Sequence, residues 1–425
     1  SGLPETRSTC PYCGVGCGVI LRPDGHGGVL VKGDPDHPAN FGRLCSKGAA
    51  LGETVGHEAR LLSPVVHGRE THWDEALGLV AQRFKRTIEE HGPDSVAFYV
   101  SGQLLNEDYY VANKLMKGFI GSANIDTNSR LCMASTVAGH KRAFGTDTVP
   151  GTYEDLDEAD LVVLVGSNLA WCHPVLYQRL MAARQARGTK IVVIDPRRTA
   201  TCDGADLHLA LEPGSDVVLF NHLLTRIYEG GAVDTDYLSH VDGFDAALQA
   251  AFCDDVAVTG LNAPDLAAFC EMWIGHEKVV TVFSQGVNQS TSGSDKVNAI
   301  LNCHLATGRI GRVGCGPLSV TGQPNAMGGR EVGGLANMLA CHLDLENAYH
   351  RATVQQFWGS GPLPHAPGLK AVDMFRAVAT GQIKAIWVIH TNPAVSMPDA
   401  NAVKAALETC EFTVVSDVTA QTDTA

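Results

Sequence analysis

Apolar residues fall into blocks of five or six, each closed by a short polar sequence, often with glycine. Ser95 to Val100, Asp160 to Val165, Lys190 to Ile194, Lys278 to Phe283, Ala385 to His390 and Phe412 to Ser416 are such blocks, and Leu207 to Leu211 is a weaker one. Continuous apolar runs of this length mark strands buried on both faces. Helical spacing fills the intervals. Asp74 to Glu90 puts Ala76, Leu77, Val80, Ala81 and Phe84 on one face, and Asn106 to Ile120, Pro174 to Arg187, Val217 to Tyr228 and Asp399 to Glu408 are read as helices too. The alternation predicts an α/β chain with doubly wound, mostly parallel sheets. Ahead of it, Gly18 to Arg22 and Val29 to Asp34 read as short antiparallel strands joined by the turn-rich stretch Pro23 to Gly28.

The expected division is a small head over 1–57, one α/β domain built from 58–138 and 371–425, and a second over 139–370 interleaved with it. Gly359 to Gly368, rich in glycine and proline, is the clearest linker. Thr419 to Ala425 follow without an element of their own, so the chain reads as truncated. In sheets of this kind ligands bind beyond the carboxyl ends of the strands. The polar sequences closing each apolar block are therefore where chemistry is expected.

Composition narrows the function classes. The net charge of −14 leaves no basic stripe for nucleic acid. No apolar run approaches the length of a membrane span, so no membrane partner is expected and the cytoplasm is the default location. Of the 13 cysteines, nine are scattered singly, which suits a reducing compartment. The other four do not scatter: Cys10, Cys13, Cys17 and Cys45 read C-x2-C-x3-C-x27-C, with Lys47 two places beyond the last. Such a set can hold an iron–sulfur cube, with Gly14, Gly16 and Gly18 letting the backbone wrap closely. A four-thiol zinc site and a disulfide framework are the competing readings.

Asn128-Ser129-Arg130-Leu131-Cys132-Met133-Ala134-Ser135, followed by Gly139-His140-Lys141, resembles the metal-ligand segment of molybdopterin oxidoreductases of the dimethyl-sulfoxide-reductase type. Within that family the likeness is to prokaryotic nitrate reductases of the assimilatory branch. The run Thr321-Gly322-Gln323-Pro324-Asn325-Ala326-Met327-Gly328-Gly329-Arg330-Glu331-Val332-Gly333-Gly334 is a second match. Related enzymes continue into a C-terminal domain that closes over the pterins, so a fragment is expected here.

The resemblance implies a [4Fe–4S] cluster on Cys10, Cys13, Cys17 and Cys45, and molybdenum bound by two molybdopterin guanine dinucleotides. It implies that Cys132 ligates the metal, where a soft thiolate suits a centre already surrounded by sulfur. Without its flanks Cys132 would be an ordinary buried cysteine. Lys47 would lie between cluster and pterin. Gly166, Ser167, Asn168, His173, Asp195, Arg197, Arg198, Gly214 and Asp216 would serve nucleotide binding, the carboxylates accepting from guanine or ribose and the arginines facing pyrophosphate. Gln103, Asn128, Gln285, Gln289, Asn392, Ser416 and Asp417 match pterin contacts. Arg330 would orient nitrate, with a salt bridge to Glu331 as its bland alternative, and Met133 would narrow the substrate funnel.

The implied activity is molybdenum-dependent reduction of nitrate to nitrite, with electrons from ferredoxin, flavodoxin or an NAD(P)H flavoprotein. Two other functions share the scaffold. Formate dehydrogenases follow their metal-ligand residue with histidine, whereas Met133 stands here. An iron–sulfur electron-transfer subunit would not need the Cys132 segment.

Overall fold

The computed structural model describes residues 4–425. The strands, in chain order, are β1 (Thr6–Thr9), β2 (Gly18–Pro23), β3 (Val29–Gly33), β4 (Val65–Val66), β5 (Arg69–Glu70), β6 (Val96–Val100) and β7 (Ile125–Thr127). They continue with β8 (Leu161–Val165), β9 (Lys190–Ile194), β10 (Leu207–Leu209), β11 (Val279–Phe283), β12 (Gly316–Ser319), β13 (Ala385–Ile389) and β14 (Phe412–Ser416). The chain forms two compact units: one comprises residues up to 25, 30–51 and 132–322, the other 26–29, 52–131 and 323–425.

The first unit holds a five-stranded parallel sheet in the order β10-β9-β8-β11-β12. Alternate residues of β8 feed two different cores, as the period of two along a strand requires. Leu161, Val163 and Val165 face the helices Asp216–Glu229, Ala263–Gly275 and Gly293–Ala306. Val162 and Leu164 face the opposite side, with Leu176 and Leu180 of the helix Pro174–Arg187. That second core also contains Cys10, Val15, Cys17 and Val19. The three-stranded sheet β1-β2-β3, with β1 and β2 antiparallel, therefore shares a core with the large sheet.

The second unit repeats the logic with the order β14-β13-β6-β7, all parallel. Ala97 and Tyr99 face the helix Ala371–Ala379, while Val96, Phe98 and Val100 pack with Phe84, Tyr109 and Met116. The antiparallel pair β4–β5 stands apart from this sheet.

Two features differ from expectation. Residues 323–370 group with the second unit, and most of the head, up to 25 and 30–51, groups with the first, where Tyr153 Oη donates to Gly14 O and Val15 O and the apolar core is continuous. The helix expected over Asn106 to Ile120 is α-helical to Asn113 and then widens into a π-helical segment, Lys114–Ile120.

An ion-pair cluster ties the helix Pro174–Arg187 to the edge of the first sheet. Asp206 accepts from Arg184, from Ile191 N at 2.9 Å and from Lys190 at 3.2 Å. Burial alone would raise its carboxyl pKa, but Arg184, the Ile191 amide and Lys190 together hold it down at about 2. Stability from this carboxylate is present above the ordinary carboxyl range and fades as pH falls towards about 2. Asp206→Asn is expected to lower the melting temperature by about 2–4 °C at pH 7, with the deficit shrinking between pH 4 and pH 2 in paired melts.

Candidate functional site

In the first unit, chain order reverses between β8 and β11, so a crevice opens at their carboxyl ends. Gly166 and Gly286 meet there: a Cβ on Gly166 would stand 2.6 Å from Gly286 Cα. Side chains are excluded from the crossing. Beside it, Ser167 Oγ and His173 Nδ1 are buried with no hydrogen-bond partner. Buried polar atoms are nearly always paired, so two such atoms at one switch point mark a place for a ligand.

Cys132 lies at this crevice. It belongs to the helix Arg130–Phe144, which kinks at Met133, where φ is −139° and ψ is 26°. Cys132 is 5 % exposed, and its sulfur is approached by Gly322 N and Gln285 Nε2, both at 3.3 Å, and by Thr321 Oγ1 at 3.4 Å. Two N–H donors and one hydroxyl thus converge on a single sulfur, a soft atom of the kind that suits a thiophilic metal. Beyond the kink, Asn288 Oδ1 accepts from Thr136 N at 2.8 Å and Thr136 Oγ1 at 2.7 Å, pinning the helix to the loop after β11.

The four head cysteines converge. Cys10, Cys13, Cys17 and Cys45 line one pocket with Tyr12, Val15, Leu44, Lys47, Gly48, Pro174 and Val175. Burial raises the Cys10 and Cys13 thiols; burial and the neighbouring thiolates push Cys17 up to about 12. Thiols that resist ionising side by side, as Cys10, Cys13 and Cys17 do, suit a cationic inorganic centre, which reverses that cost. The Lys47 ammonium sits 6.0 Å from the Tyr12 ring centroid. His173 Nε2 stands 2.7 Å from Thr321 O, and Gly14 N donates to Gly322 O at 3.2 Å.

The second unit has its own reversal, between β13 and β6. Asn128 Oδ1 accepts from Gly102 N at 2.8 Å, and its Nδ2 donates to Gln103 Oε1 at 3.0 Å and Thr391 Oγ1 at 3.2 Å. His390, closing β13, holds a positive φ of 53°, the kind of strain that gathers at functional ends. Asn392 accepts from Thr424, Ser416 Oγ accepts from Trp387 Nε1 at 2.9 Å, and Asp417 folds back on Val418 N. Arg330, 5 % exposed, lies on the short helix Ala326–Glu331 and donates to Ala326 O. Glu331 pairs with His342 at 3.0 Å.

Other expected residues are placed less deeply. Asn168 accepts from Thr201 Oγ1 at 2.8 Å, Asp195 caps Arg197 N at 2.9 Å, and Arg198 pairs with Asp203 at 3.3 Å. Arg197, Gly214 and Gln289 are exposed. Asp216 departs from expectation: it is 7 % exposed and its carboxylate is held by Lys296 at 2.7 Å, so the ion pair engages the group expected to read guanine or ribose. Gln285, expected at a pterin, contacts the Cys132 sulfur. Sequence reasoning missed Asn288 and the individual role of Thr321. It also passed over Lys117, flagged only by a lone charge in the apolar Leu115-Met116-Lys117-Gly118-Phe119-Ile120.

Comparison with known proteins fixes the family. The family described as Molybdopterin oxidoreductase matches residues 60–425, and the Molybdopterin oxidoreductase Fe4S4 domain matches 3–57. The chain belongs to the molybdopterin oxidoreductases. This family member is 57 % identical over 99 % of its length to a nitrate reductase of Klebsiella oxytoca, covering 49 % of that protein. It is 49 % identical over its whole length to a nitrate reductase of Shewanella frigidimarina, covering 47 %, and 37 % identical over 96 % to a periplasmic nitrate reductase of Desulfovibrio desulfuricans, covering 57 %. The chain thus spans about half the length of the first two. Among solved structures, acetylene hydratase from Pelobacter acetylenicus superposes with a TM-score of 0.76 at 18 % identity, over 97 % of this chain and 60 % of that one, which shows a shared fold.

These matches give the chain a molybdopterin oxidoreductase domain and, ahead of it, an Fe4S4 domain. The residues present fit both groups: a pocket of four thiols for the cluster, and orphaned buried atoms beside a hydrogen-bonded sulfur for the pterin-bound metal. Among the described residues, no helix is long and apolar enough to cross a membrane.

Proposed function

We propose that the protein reduces nitrate to nitrite, consuming two electrons and two protons and releasing water. The observation that carries this is the buried Cys132 sulfur, met by amide donors from Gly322 and Gln285 at the switch point of the first sheet. Nitrate is favoured over formate by the names of the relatives and by Met133, which stands where formate dehydrogenases carry histidine. When bound, the molybdenum with its two molybdopterin guanine dinucleotides supplies oxygen-atom-transfer chemistry, fed with single electrons by the cluster.

The chain's own residues would then act as follows. Cys132 holds the metal through a thiolate whose donation is moderated by its N–H partners. Met133, turned out of helical geometry, narrows the approach with an apolar wall. Arg330 orients the nitrate anion with its guanidinium fork. Lys47 places an ammonium beside the four-thiol pocket, where it favours added negative charge during reduction. Gly166, Ser167, Asn168, Asp195, Arg197, Arg198 and Gly214 serve one nucleotide arm, and His173 adjoins them on the cofactor. Gln103, Asn128, Asn392, Ser416 and Asp417 surround the other cofactor half. Gln285 reaches the metal thiolate, Gln289 stays near the pterin, and Asp216 acts through Lys296.

A soluble donor protein, either ferredoxin, flavodoxin or an NAD(P)H flavoprotein, would supply electrons in the cytoplasm, a compartment suited to cysteines scattered singly. Molybdenum and iron content of the natural full-length protein, measured beside nitrate and formate assays, tests the reading. Iron without molybdenum, or formate turnover in place of nitrate turnover, would overturn it. Cys17→Ala is expected to lose most of the iron and the cluster's visible absorption; iron retained at the wild-type level would remove Cys17 from the ligand set.

A further inference from the structure

We infer that His173 is a positioning residue with two separable duties: its Nε2–H braces the peptide that hydrogen-bonds the Cys132 sulfur, and its Nδ1 accepts an N–H of the bound pterin. The inference rests on the molybdenum reading above and assigns a specific contact within it.

His173 is 1 % exposed, just ahead of the helix Pro174–Arg187. Its Nε2 lies 2.7 Å from Thr321 O. A carbonyl only accepts, so Nε2 bears the proton. Burial lowers the ring's pKa against the opposing hydrogen bond to Thr321, with the nearby Lys47 charge acting in the same direction as burial, which favours the neutral ring. Nδ1 is then a bare lone pair, and it is buried without a partner. A buried acceptor left open calls for a ligand donor, and a pterin offers ring N–H and amino groups of that kind.

The other nitrogen works through a single peptide group. Thr321 C=O and Gly322 N–H belong to one amide, and that N–H points at Cys132 Sγ from 3.3 Å. Donation into the carbonyl polarises the amide and strengthens its own N–H as a donor. His173 therefore reaches the sulfur without touching it. A stronger donor on a thiolate draws electron density from it, so the sulfur gives less to the metal and the metal is easier to reduce.

Two substitutions separate the duties in the natural full-length protein. Gln puts an amide nitrogen near the place of Nε2 and leaves no acceptor at Nδ1; Asn puts an amide oxygen near Nδ1 and leaves no donor to Thr321. His173→Asn is expected to keep molybdenum and pterin per chain near wild type, while the metal's midpoint potential, read by redox titration with electron paramagnetic resonance, shifts downward. His173→Gln is expected to keep the potential of loaded molecules but to hold the cofactor about tenfold less tightly, the worth of one hydrogen bond. Wild-type occupancy and potential in both variants would overturn the inference, as would the reverse pattern or loss of the fold in both by thermal melt. A wild-type protein without molybdenum would instead sink the functional reading itself.

Discussion

Cys132→Ala is expected to cut nitrate reduction driven by a reduced viologen dye to below about one-thousandth of wild type, a loss of ~4 kcal/mol or more in transition-state stabilisation. The sulfur sits in a pocket whose polar groups are aimed at it: Gly322 N, Gln285 Nε2 and Thr321 Oγ1 all lie within 3.4 Å. Alanine leaves these groups facing an empty space and removes the soft donor proposed above for the metal. The fold should tolerate the change, because the helix beyond Met133 is pinned independently by Asn288. Metal analysis belongs beside the assay. Equal turnover in the variant, at equal molybdenum content, would remove ligation by Cys132 from the mechanism.

Lys117→Met should destabilise the second unit by roughly 3–5 kcal/mol, the range for breaking a buried charged contact from one side. The Lys117 side chain is fully buried in the π-helical segment Lys114–Ile120, and its ammonium donates to Gly333 O at 2.8 Å and to Leu335 O and Met338 O at 2.6 Å. Burial pushes its pKa down to about 7, so the charge depends on those carbonyls and on Asp126 nearby. Methionine matches the length but strands three buried acceptors. Lys117→Arg should not rescue it, since a planar fork cannot reproduce three donors radiating from one point. Chemical denaturation would read the loss; a change under 1 kcal/mol would show that water satisfies the loop instead.

Most of the fold could be read from the chain because its central strands are long, apolar and covered on both faces. β8, β9, β11, β13 and β14 all coincide with apolar blocks. The strands that escaped notice sit at sheet edges. β7 is only Ile125–Thr127, and β12 reads Gly316-Pro317-Leu318-Ser319, where a proline is tolerated because an edge leaves one ladder unpaired. The π-helical widening was illegible because i→i+4 and i→i+5 patterns bury similar residues over one turn.

At the site, the spacing of the four head cysteines and the flanks of Cys132 survive as geometry: the first set shares a pocket, and the second supplies a hydrogen-bonded sulfur. Asp216 and Gln285 show the limit. A carboxylate at a strand end looks available in a sequence, yet Lys296, 80 positions later, approaches it only in three dimensions. The boundary near 322 was hidden for a related reason. The chain changes units within the Thr321–Gly334 run, whereas composition pointed to the glycine- and proline-rich stretch after Trp358.

Gly322 bears on any attempt to build chimaeras from this protein. Its carbonyl takes the amide of Gly14, and its amide serves the sulfur of Cys132. Swapping in a foreign iron–sulfur head would disturb the peptide that serves Cys132 unless the donor's loop offered a backbone N–H at the same height. A successful graft would have to transplant that contact along with the cysteines.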